Sequence, residues 1–158
     1  MKSPIFFLIA AILTAPLTTM AATDRHDHGD APHKIELNAG KKWTTDDPLR
    51  QAMNAIKSAS VTMLPAAHAG KATDVDYDAF GKEVTAQVTY IVKNCKLDPK
   101  ADAQLHTVIG DIMAGVEMSE GKQQGKKRSS GVVKVVQALN TYGKFFDHSG
   151  WKPVALPH

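Results

Sequence analysis

The residues able to do chemistry are few and of one kind. Cys95 and His106 stand at the two ends of an uninterrupted stretch near mid-chain, Met53 and His148 lie in other periodic stretches, and His26, His28 and His33 accompany Asp27 and Asp30 in a polar segment near the start. Thiolate, thioether and imidazole suit copper, and imidazoles on a flexible chain also capture Ni²⁺ and Zn²⁺. These residue types therefore point to transition-metal capture, with copper first. No G-x-S-x-G, Walker loop or H-E-x-x-H is present, and the single cysteine has no base beside it in sequence. The reading is non-enzymatic.

Whether these groups can share one ion depends on the helices that carry them. Leu97, Asp98 and Pro99 make a tight joint, because Pro has no N–H to lose in a first helical turn and Asp can cap it. His106 is then about 10 Å up its helix, with Cys95 at the foot of the neighbour roughly 9 Å to the side, a backbone separation of about 13 Å. That is too far for two ligands of one ion, so Cys95 and His106 are separate candidates. Cys95 reads either as a small apolar residue closing a helix end or as a ligand. Met53 stands at the height of His106 but in a core stripe, where Met ordinarily fills gaps. Asp102, one turn before His106, makes a helix-face pair or orients a metal-bound imidazole.

At the far end of the chain, His148 lies between Asp147 and Trp151, where it reads as a helix-end cap and packing partner projecting away from the last helix's apolar stripe. His68 has the same reading at the opposite end. Met53 with His148 also forms a candidate axial pair for a b-type haem, since no CxxCH exists for covalent attachment. Trp43 and Trp151 flank the same end and are candidates for docking a protein partner.

Four helices have to place these groups. The first spans about Asp47 to Ala69, with Leu49, Met53, Ile56, Ser60, Met63, Leu64 and Ala67 on one face, Pro65 late in it and Gly70 as its stop. The second runs from Thr73 or Asp74 to Asn94 or Cys95, with Tyr77, Phe80, Val84, Val88, Ile91 and Val92 inward. The third runs from Pro99 to about Ser119, and the fourth from Ser129 or Ser130 to about Asp147, with Gly150 ending it. Between the last two, Lys126, Lys127 and Arg128 read as a solvated basic loop. Short connections between four amphipathic helices predict an all-α, up-down-up-down four-helix bundle over residues 43–153, with a disordered lead-in at 23–42 and a tail at 154–158.

The opening of the chain predicts export. Lys2, the apolar run from Ile5 to Leu17 and the small residues Thr19, Ala21 and Ala22 form the pattern of a secretory signal over residues 1–22, cleaved after Ala21 or Ala22. Cleavage leaves about 136 residues, enough for one domain and no membrane anchor. A formal charge of +3 argues against a nucleic-acid binder. One cysteine cannot form a disulfide within the chain.

Three strings, LNAGKKWTTDDPLRQAM (Leu37 to Met53), YIVKNCKLDPKADAQLH (Tyr90 to His106) and ALNTYGKFFDHSGWKP (Ala138 to Pro153), resemble those of a family of small exported proteobacterial helical proteins. Some of its members are labelled DnrO, a label tied to denitrification-linked genes. The resemblance covers most of the mature chain. It implies a periplasmic helical protein with Trp43, Cys95, His106, His148 and Trp151 as family positions. Through its label it also offers an alternative function, an accessory or interaction module of nitrogen-oxide respiration with a periplasmic protein partner.

Overall fold

A computed structural model describes residues 34–157 of the chain. The expected secretory signal over residues 1–22 and the candidate ligands His26, His28 and His33 lie outside the described residues. The protein is all-α: α1 spans Asp47–His68, α2 Asp74–Asn94, α3 Pro99–Ser119 and α4 Arg128–Phe145. Each helix packs on its chain neighbours and α4 closes back on α1, which gives the up-down-up-down bundle. Among the described residues no helix is long and apolar enough to cross a membrane.

Local chemistry sets most of the boundaries. The Asp46 carboxylate accepts from the Leu49 N–H at 2.9 Å and caps α1, with Pro48 in the first turn. Thr73 and Asp76 form a reciprocal capping box at the start of α2. Asp98 caps α3 ahead of Pro99, accepting from the Lys100 N–H at 2.9 Å. Beyond α1, Gly70 takes φ 64°, which a residue with a Cβ adopts only under strain. The inward stripes meet in one core, where Leu49, Met53, Ile56, Val84, Ile112, Leu139 and Tyr142 are fully enclosed. Burying each such side chain stabilises the fold by about 1.5–3 kcal/mol.

The most extensive pairing is α3 with α4. Small residues permit it, since a Cβ on Gly131 would stand 2.3 Å from the Ser119 N and 2.4 Å from the Gly115 O.

Four sequence expectations are corrected here. Helix four starts at Arg128 and ends at Phe145, short of Gly150. Its exit is set by a distant partner: Trp43 N–H donates to the Phe145 carbonyl and Asp147 N–H to the Trp43 carbonyl, each at 2.8 Å, forming a single parallel bridge between Trp43 and Phe146. Val92 lies outside the core at 72% exposure, one turn-third away from the buried Ile91. The lead-in reading extends too far, because residues 34–42 are structured. Asn38 and Lys41 exchange two hydrogen bonds around Ala39 and Gly40, both at positive φ, and Glu36 N–H donates to Gln104 Oε1 at 2.8 Å. The tail boundary falls too early, since Val154 is buried and Asn140 holds both its N–H (2.8 Å) and its carbonyl (2.9 Å).

Candidate functional site

The joint between α2 and α3 is tied to the start of α1 by one carboxylate. Asp46 accepts from Leu49 N–H through one oxygen and from Lys96 N–H at 2.7 Å through the other, and the Cys95 thiol also bonds to it. Burial raises the Asp46 pKa, but these donors outweigh it and the net shift is downward. Its negative charge acts on Cys95 in the opposite sense. Burial first, then the charge of Asp46 and its hydrogen bond, push the half-buried thiol up to about 12. Cys95 is therefore a neutral thiol at physiological pH, and a metal bound there would have to displace its proton.

His106 is on the surface of α3. Its Nδ1–H donates to the Asp102 carbonyl at 2.9 Å, with the Asp102 carboxylate at 3.4 Å. The expected i−4 pair is present, and because a carbonyl can only accept, the backbone bond places a proton on Nδ1 and leaves Nε2 facing outward. Cys95 and His106 both line one cleft of about 500 Å³ between α2 and α3, together with Leu97, Asp102, Leu105 and Ile109. No group of three or more His, Cys, Asp or Glu placed to hold a metal ion occurs among the described residues.

His148 is corrected most. It does not project away: the chain turns after Phe145 and carries the ring back under the bundle end, where it is 8% exposed. Its Nδ1 lies 3.0 Å from the Tyr142 hydroxyl, and its ring stands 5.8 Å from that of Tyr142 and 4.8 Å from that of Trp151. Burial, then the cations of Arg50 and Lys57, lower its pKa below 6.5. The expected packing against Trp151 is present, whereas a helix-end cap would have carried a cation. His148 is therefore part of the core packing at this end of the bundle. Met53 is wholly enclosed in the core. His68 is exposed in the last turn of α1.

The two tryptophans do not form one docking face. Trp43 is 7% exposed and spends its indole N–H on the Glu36 carbonyl at 2.7 Å, so it pins the N-terminal segment and is corrected as a partner-binding residue. Trp151 is half-buried, lies on Gly143 with Lys57 4.6 Å from its ring centre, and has its Nε1 enclosed.

Sequence reasoning places Asp46 among the capping residues of α1 and Tyr142 inward on α4, but it misses the long-range bond of Asp46 to Lys96, the contact of Tyr142 with His148, and Arg128 as an organising residue. Arg128 is not solvated: it pairs with Asp74 at 2.6 Å and with Asp78, donates from Nε to the Ser119 carbonyl at 2.6 Å, and covers the Tyr77 ring. The i, i+4 spacing of Asp74 and Asp78 was the available signal. No family model, curated protein or solved structure matches the chain.

Proposed function

We propose that this is an exported, non-enzymatic helical protein that captures a transition metal, copper first, on the imidazoles of His26, His28 and His33. The folded body carries that segment. The observation behind the proposal is the run HDHGDAPH, which sets three imidazoles and two carboxylates within eight residues and matches the borderline ligand preference of Cu²⁺. The folded residues support it by the work they already do: Met53 fills the core, His148 meets Tyr142, and Cys95 keeps its proton. His106, whose Nδ1 is turned to the Asp102 carbonyl and whose Nε2 is left outward, and the exposed His68 are the surface imidazoles of the folded body able to add a ligand. The family resemblance supports export and a setting in nitrogen-oxide respiration.

Equilibrium dialysis against Cu(I), Cu(II), Ni²⁺ and Zn²⁺, with elemental analysis, tests the proposal. Wild type should retain copper at micromolar concentrations, the triple variant His26→Ala/His28→Ala/His33→Ala should lose most of it, and His106→Ala should lose little. No retention in either copper state refutes the function, and full retention by the triple variant refutes the assignment. A Soret band after expression with haem supplied would favour the Met53–His148 haem reading instead.

A further inference from the structure

The chain after α4 forms a strap that runs back along the helix it has just left. Trp151 lies on Gly143, where a Cβ would come within 2.3 Å of the indole, and Val154 is held by both amide atoms of Asn140, one turn earlier. On its other side the strap meets α1, with Lys57 Nζ donating to the Lys152 carbonyl at 2.5 Å. At its root, Thr45 donates its hydroxyl to the Asp147 carbonyl at 2.6 Å. His148 sits between this root and the Trp151 anchor.

The surroundings of that ring are unsuited to a second proton. From α4 it faces Tyr142; on α1 the cations of Arg50 and of Lys57, which lies over the adjoining Trp151 ring, act on it through their charge. Arg50 is itself turned to Asp47 and to the Thr45 carbonyl. On the strap, Asp147 and Lys152 are the charged neighbours in sequence, and behind Tyr142 stand Asp46, committed to Leu49 and Lys96, and the neutral Cys95 thiol. Among the described residues no carboxylate pairs with His148. A proton added there is buried with two like charges nearby and no counter-ion. The least costly relief leaves the helices intact and moves the strap, which is held by a few hydrogen bonds and one indole.

We propose that His148 is the trigger of an acid-sensitive latch: protonation of its ring releases residues 147–156 from α1 and α4 while the four helices stay folded. The sign follows from the buried neutral form. The strap is fully closed above the ordinary histidine range near 6.5 and loses stability as pH falls below it, because the released ring binds the proton more readily than the docked one. Release would uncover Trp151, Val154 and the faces of Gly143 and Asn140.

Hydrogen exchange read by mass spectrometry on the full mature chain tests this, at about pH 7.5 and about pH 5, the span over which histidine changes charge. After correction for the intrinsic pH dependence of exchange, amides of 147–156 should open several-fold more often at the lower pH, with α1, α2 and α3 unchanged. In His148→Gln, which cannot take up the proton, that ratio should return to one. Equal protection at both pH values, the same acceleration in His148→Gln, or loosening spread over all four helices overturns the proposal. Should His148→Gln fail to fold, an NMR titration of the wild-type imidazole takes its place. A ring midpoint coinciding with that of strap release upholds the latch, and separate midpoints overturn it.

Discussion

Replacing Gly131 by Ala should reverse the sign that helix propensity alone gives. In an open helical position this change gains about 1 kcal/mol. At Gly131 the new Cβ would meet Ser119 N at 2.3 Å, Gly115 O at 2.4 Å and Ser119 Cα at 2.8 Å, all backbone atoms that no rotamer change can move. Restoring ordinary contact requires α3 and α4 to part by about 1 Å, and a gap of that size forfeits a quarter to a half of the dispersion attraction between facing atoms. Overpacking of this kind costs about 1–3 kcal/mol, and the loosened contacts of Val132, Val135 and Val116 add to it. After crediting the propensity gain, Gly131→Ala should lose up to about 2 kcal/mol, a fall in Tm of up to roughly 8 °C for a body of this size. Gly110, in α3, has nothing within 4 Å of its Cβ position, so Gly110→Ala should raise Tm by a few degrees. Thermal unfolding followed by far-UV circular dichroism measures both. If Gly131→Ala melts at or above wild type, or Gly110→Ala falls equally, the close α3–α4 crossing is not what the glycines serve.

Two further outcomes are expected. Cys95 should react with iodoacetamide at neutral pH roughly a hundredfold or more slowly than an unhindered thiol, because little thiolate forms with the pKa pushed up to about 12; labelling at the free-thiol rate would contradict the Asp46 contact. Arg128→Ala should lower urea stability by about 1–2 kcal/mol, given that its carboxylate partners are largely exposed, with Arg128→Lys recovering less than half and the loss shrinking at high salt. Unchanged denaturation midpoints would mean that the Arg128 fork is ornamental.

How far the chain could be read in advance depended on the range of the interactions involved. The starts of α1, α2 and α3 follow from Asp46, Thr73 and Asp98, whose side chains act on amides two or three residues away, so local chemistry announces them. The end of α4 is announced by nothing local. Gly150 looks like the stop, but the helix leaves at Phe145 because Trp43, far off in sequence, supplies the donor and acceptor that Phe145 and Asp147 use. The same turn carried His148 inward, so a helical wheel extended through Asp147 gave its direction wrongly. Val92 was misplaced because its neighbour Ile91 takes the inward position of that turn. At the candidate site the i−4 pair of Asp102 with His106 was legible from spacing, whereas the neutral state of Cys95 depends on Asp46, a residue on another helix start.

The bridge between Trp43 and Phe146 also ties the two ends of the folded body, and its neighbours Lys42–Gly143 and Thr45–Asp147 join residues 101 and 102 positions apart. Such contacts close a long loop, whose ordering costs more chain entropy than the local turns between neighbouring helices. The exit of α4 is therefore complete only when residues 42–45 and 143–147 are both in place. Trimming either end should then undo the other: removal of residues 34–42 would strip Trp43 of its Glu36 partner and slacken the exit of α4.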